Sequence, residues 1–154
     1  MPFLKEAARW TSTVGGVGYC PVVPATFGSA VGVLLYQLGP ADLGARLALA
    51  GAQLGLGFWS AGYSQELFRS KDARQIVIDE TSSMYLMLML AGSRTWAAAA
   101  AAFVLFRILD VLKPLGIRRL EALPGGVGIM ADDIAAGLLG AAVMRGVLAL
   151  TPNL

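Results

Sequence analysis

The chain contains no histidine. Histidine is the commonest general base, so its absence rules out Ser-His-Asp hydrolases and histidine-dependent lipid phosphatases. Acid–base work is left to Asp, Glu and Lys. Cysteine is nearly absent too. Cys20 alone cannot close an internal disulfide, and Thr26 stands where a cysteine-phosphatase loop would need arginine. No Gly-Lys-Ser/Thr sequence occurs, which excludes a P-loop. Charge is scarce, at 14% against roughly 25% in an ordinary soluble domain. The net charge of +2 is spread over scattered basic residues and argues against a nucleic-acid reader. Met1 to Glu6 lacks the apolar core expected of a signal peptide.

What is abundant is apolar. Hydrophobic residues make up 56% of the chain, and the mean hydropathy is +0.66. A length of 154 residues suits one domain, 1–154. Four apolar stretches stand out: Phe27 to Leu38, Leu43 to Tyr63, Thr81 to Phe106 and Ile134 to Leu150. A straight helix needs about 20 apolar residues to cross a bilayer. The second and fourth stretches meet or approach that, and the first can extend back through Pro24. The third is too long for one helix and is broken at Gly92-Ser93-Arg94. It reads as a helical hairpin, about Ile76 to Ala91 and Thr95 to Lys113. The expected fold is all-α: a polytopic helical membrane bundle of four to five apolar helices with that hairpin at its centre.

Charge orients the bundle. With five crossings, Lys5, Arg9, Arg69, Lys71, Arg74, Arg107, Lys113, Arg118 and Arg119 fall on one side. Only Arg46, Arg94 and Arg145 fall opposite. The positive-inside rule makes the richer side cytoplasmic.

Five of the ten acids sit in three clusters beside the apolar runs, all on that side. They are Asp79 and Glu80, Asp110, and Asp132 with Asp133. Carboxylates beside membrane-grade sequence are costly unless paired, solvated or bound to a cation. Each cluster also has a purely structural reading. Asp79 and Glu80 can complement a helix dipole, Arg107, Asp110 and Lys113 can form an ion-pair ladder, and one of Asp132 and Asp133 can cap the last helix. The glycines Gly125, Gly126 and Gly128 read as a backbone approach to an anion. Thr26 reads as an N-cap at a helix start that could hold phosphate.

These residues together resemble the bacterial phosphatidylglycerophosphatase A family. The blocks that carry the resemblance are Gly16-Val17-Gly18 with Pro21, Pro24, Thr26, Gly28 and Ser29; Ile76-Val77-Ile78-Asp79-Glu80; Phe106-Arg107, Asp110 and Lys113-Pro114; and Gly126, Gly128-Ile129-Met130, Asp132-Asp133 and Ala136-Gly137. They occur in the family's order over nearly the whole chain. Ala25, Ala73, Ser83 and Gly116 depart from its pattern.

The resemblance implies Mg2+-dependent hydrolysis of phosphatidylglycerophosphate to phosphatidylglycerol and phosphate. It implies a multi-pass protein of the bacterial cytoplasmic membrane, with its site facing the cytoplasm and membrane lipid as its partner. Asp79, Glu80, Asp110, Asp132 and Asp133 are the expected catalytic and metal-binding residues, with Glu80 orienting or deprotonating the attacking water. Arg107 and Lys113 are the expected phosphate-binding cations, with Thr26 and Ser29 as extra donors. An aspartyl-phosphate intermediate stays open, as does action on another lipid or isoprenoid phosphate, or a non-catalytic membrane scaffold. Glu66 and Glu121 lie outside the blocks and are expected to be neutral.

Overall fold

The computed structural model describes residues 2–70 and 73–151. Lys71, one of the nine basic residues counted above, lies outside them. The described residues form six α-helices and no strand: α1 Pro2–Ser12, α2 Pro24–Leu38, α3 Leu43–Phe68, α4 Ile78–Ala91, α5 Trp96–Leu112 and α6 Gly125–Leu150. Two 3-10 segments, Val17–Tyr19 and Pro114–Ala122, join them.

The hairpin is present as α4 and α5. Gly92 ends α4 with φ of 86°, a conformation that suits glycine, and the Thr95 side chain caps α5 by accepting from the Ala98 N–H. α4 is the centre of the bundle. Eleven of its 14 residues are buried, including Met84, Met87 and Leu88. Protein surrounds it on most sides, chiefly α2, α3 and α6. α5 covers it with Ala98, Ala99, Ala102, Phe106 and Leu109.

Small residues set the helix spacing. A Cβ on Gly32 would come within 2.5 Å of the Thr81 carbonyl, so α2 can lie against α4 only with glycine there. A Cβ on Gly137 would meet the Ser83 carbonyl at 2.8 Å where α6 crosses α4. Ser83 is fully buried at this crossing, with Gly137 facing it.

Two expectations change. α6 starts at Gly125, well before the apolar run, and the neighbouring glycines belong to its first turn. They serve packing: a Cβ on Gly126 would lie 2.3 Å from the Phe58 carbonyl of α3. Gly116 has φ of 82°, a left-handed conformation that suits glycine and turns the chain after Pro114. α6 is the one described helix long and apolar enough to cross a membrane by itself.

Candidate active site

The start of α4, the end of α5 and the third turn of α6 meet at one end of the bundle. They enclose a cavity of about 490 Å3. Asp79, Glu80, Asp110, Lys113, Asp132 and Asp133 all line it, so three clusters far apart in sequence share one space. The backbone explains how. Val77 N–H donates to the Ser12 carbonyl at 2.9 Å and fixes the approach to α4. The Thr81 hydroxyl donates to the Gly28 carbonyl at 2.8 Å and ties α4 to α2. Asp79 and Glu80 then fall in the first turn of α4.

The five acids divide into two sets. Asp79, Glu80 and Asp133 bring one oxygen each within 4.8 Å of one another. All three are buried, at 4% to 9% exposure. Asp79 Oδ1, Glu80 Oε2 and Asp133 Oδ2 have no hydrogen-bond partner. Asp110 and Asp132 are paired. Arg107 Nη1 lies 2.9 Å from Asp110 Oδ2, and Lys113 Nζ contacts Asp132 Oδ2 and lies 3.9 Å from Asp110 Oδ1. Asp132 Oδ1 is buried and unpartnered like the trio's oxygens.

Buried carboxylates this close repel one another, and the repulsion must be relieved by protons or a cation. Orphaned buried oxygens with no nitrogen or sulfur donor among them form a set that can hold a hard divalent cation. Asp132 and Asp133 lie in the interior of α6, so neither is its N-cap; Pro124 holds that position.

Lys113 ends α5 in a left-handed conformation, φ 43°. Burial by itself would lower its pKa, but the Asp132 and Glu121 carboxylates outweigh burial and hold the ammonium above its ordinary value. It stays charged at any physiological pH.

Arg107 lines the cavity only through Asp110. Its Nη1 also donates to Ser29 Oγ at 3.4 Å, and the fully buried Ser29 hydroxyl donates to the Ala25 carbonyl at 3.0 Å. Thr26 is not the N-cap of α2. Val23 is, and Thr26 follows in the first turn, half-buried and away from the cavity lining.

Two charged lining residues were not among the expected site residues. Arg118 and Glu121 enter the cavity wall from the 3-10 segment after Pro114. Glu121 Oε1 lies 2.7 Å from Lys113 Nζ, so its expected neutrality rested on sequence position alone. The available signal was Pro114, which turns the chain back over the site. Glu66 is exposed on α3.

The chain matches the family model for phosphatidylglycerophosphatase A over residues 10–148. It is 35% identical to an Escherichia coli protein named phosphatidylglycerophosphatase A, over 92% of this chain and 84% of that protein. A Haemophilus influenzae protein of the same name is 34% identical over 80% of this chain and 77% of its own. A Bacteroides thetaiotaomicron protein, named "Putative phosphatidylinositol-3-phosphatase", is 36% identical over 80% of this chain and 82% of its own. No solved structure matches.

Proposed function

With this chain a member of the phosphatidylglycerophosphatase A family and a phosphatase, we propose that it hydrolyses phosphatidylglycerophosphate to phosphatidylglycerol and phosphate, with Mg2+. One observation carries the reading: a buried acidic trio, each member with one unpartnered oxygen, faces a cavity whose wall also holds cations.

Asp79, Glu80 and Asp133 would hold the cation, with Asp132 Oδ1 within the same wall. Bound Mg2+ supplies charge neutralisation for the phosphoryl oxygens and leaves room for water among its ligands. Lys113 and Arg118 attract and orient the phosphate. Asp110 and Asp132 keep Lys113 from collapsing onto the trio, and Asp110 holds the Arg107 guanidinium. Glu80 orients the attacking water and accepts its proton. The first turn of α4, which has no side-chain cap, carries Asp79 and Glu80 into the cavity wall.

The proposed setting is the cytoplasmic face of a bacterial inner membrane, with several helices embedded. The nine-to-three basic asymmetry supports the orientation. Exposed Leu34 and Leu38 on α2, Leu47 and Leu56 on α3, Val104 and Ile108 on α5, and Leu138 and Val143 on α6 support a lipid-facing exterior. α4 is too short to span, but it is enclosed by protein, where bilayer thickness does not constrain it.

A second reading is action on a different lipid phosphate monoester, and the name of the Bacteroides relative favours it. One experiment tests both. The purified full chain is given phosphatidylglycerophosphate or phosphatidylinositol-3-phosphate in mixed micelles, with chelator and then with Mg2+. Phosphate release from phosphatidylglycerophosphate should vanish in chelator and return with Mg2+. Faster release from the inositol lipid would favour the second reading. Full activity in chelator would overturn the metal assignment, and no release from either lipid would favour a scaffold.

A further inference from the structure

A second cavity, of about 410 Å3, opens between α2 and α5. Its wall is wholly apolar: Val33 and Leu34 of α2 face Trp96, Ala100, Phe103 and Val104 of α5. Leu34, Trp96 and Val104 are 46%, 58% and 57% exposed, so this is an open groove and not part of the core.

Its direction is informative. Positions 96, 100, 103 and 104 share one face of α5, and the next residue on that face is Arg107. The groove therefore runs toward the point where Arg107 bonds Ser29 and Asp110, at the edge of the acidic cavity. From Trp96 to Arg107 the helix rises about 16 Å. That is roughly one leaflet of a hydrocarbon core about 30 Å thick. Trp96, at the far end, stands beside the α4–α5 turn, so the groove has room for a chain of about that length.

We propose that this groove holds one acyl chain of the lipid whose phosphate enters the acidic cavity. The inference rests on the lipid-phosphatase reading of that cavity. A free phosphate ester without chains would fill the cavity and leave the groove empty. Binding would then depend on chain length, whereas the chemical step would not. Arg107 is placed to mark the junction, holding the headgroup end while the apolar face of its own helix holds the chain.

The test uses the full chain in detergent micelles with two readouts. The first is photolabelling with a phosphatidic acid that carries a diazirine midway along one acyl chain, in the presence of chelator. Adducts are expected at 33–34 and 100–104, and excess unlabelled phosphatidic acid should remove them while phosphatidylcholine of equal chain length should not. Equal competition by phosphatidylcholine would mean bulk lipid in the groove. Absent labelling, with cross-links between two copies through Val104, would mean a second copy of the chain covers it. Either outcome overturns the proposal, as does absent labelling alone.

The second readout is kinetic. Ala100 is exposed, so Ala100→Phe fills the groove without disturbing the core. Each buried methylene is worth roughly fourfold in affinity, so displacing two should raise KM for a long-chain substrate about tenfold or more. The kcat should stay within about twofold, and a dihexanoyl substrate should be unaffected. Val104→Ser should raise KM severalfold. Ala142→Phe, the same kind of change on an exposed position of α6, should do nothing. A fall in kcat with KM unchanged would overturn the groove. If phosphatidylglycerophosphate is not hydrolysed but labelling is competed by phosphatidic acid, the groove stands and the substrate assignment falls.

Discussion

The two ends of the bundle handle polar groups in opposite ways. At the α4–α5 turn, polar groups are spent on the fold. Arg94 donates to the carbonyls of Tyr36, Gln37, Gly39 and Pro40 and so closes the C-terminus of α2. Arg46 donates to Pro40 and Ala41, and both guanidinium groups lie about 5.5 Å from the Tyr36 ring. Asp42 and Thr95 cap α3 and α5. At the acidic end, α2, α4 and α6 begin without any side-chain cap. All five non-glycine residues with a left-handed backbone among the described residues lie there: Val14, Val23, Arg69, Lys113 and Leu115. Two are β-branched, for which that conformation is strained. Orphaned carboxylate oxygens complete the picture. One end is built for stability. The other stores strain and repulsion, as functional sites do when a ligand completes them.

The sharpest way to break this contrast is to remove charge from the trio. Asp79→Asn and Asp133→Asn keep shape and hydrogen-bonding ability while removing a ligand. Phosphate release should fall by about 10²-fold or more, since one well-placed electrostatic contact to a transition state is worth that much. Thermal melts in chelator should show equal or higher stability, because a buried repulsion is relieved. Retained activity together with a lower Tm would make these acids structural and erase the difference between the ends.

Arg94→Ala attacks the other end. It removes four hydrogen bonds from a charged donor to carbonyls that would lose their partner. The expected loss is about 2–3 kcal/mol of stability, or roughly 4–12 °C in Tm for a chain of this size. Activity per folded molecule should stay near wild type. A large fall in kcat would mean that the two ends are coupled.

Arg107→Lys lies on the border between these cases. Lysine keeps the charge but lacks the planar guanidinium whose Nη1 reaches both Asp110 and Ser29. Activity should fall about tenfold with little change in Tm. An unchanged rate would restrict Arg107 to a surface ion pair with Asp110.

The sequence made one half of this contrast readable. The acidic clusters were visible because charge is rare beside apolar runs, and the hairpin placed Asp79, Glu80 and Asp110 at one depth. Three things were hidden. The start of α6 was masked by Gly125, Gly126 and Gly128, which read as loop because glycine disfavours helices. Gly126 lies against α3 and Gly128 against the Leu123 carbonyl, contacts that depend on tertiary packing. The division of five acids into bare and paired sets depends on where Lys113 and Arg107 point, and spacing alone does not fix that. Glu121 was misplaced because Leu115 and Gly116 adopt turn conformations that fold the 3-10 segment over the cavity.

Glu121 supplies the smallest and most discriminating comparison. It is half-exposed on its side chain, at 45%, and shares the Lys113 ammonium with Asp132. An exposed ion pair contributes less than about 1 kcal/mol to stability, so Glu121→Gln should leave Tm nearly unchanged. Its effect should appear in the site. Losing one of two close carboxylates leaves Lys113 bound more tightly by Asp132, and so less free to meet an incoming phosphate. A two- to fivefold rise in KM with kcat nearly intact is expected, because the change acts on binding more than on the chemical step. Glu66→Gln, also on an exposed glutamate but remote from the cavity, should alter neither quantity. Steady-state kinetics on the two variants side by side measures the difference. Identical behaviour would remove Glu121 from the site and return the 3-10 segment to a purely structural role.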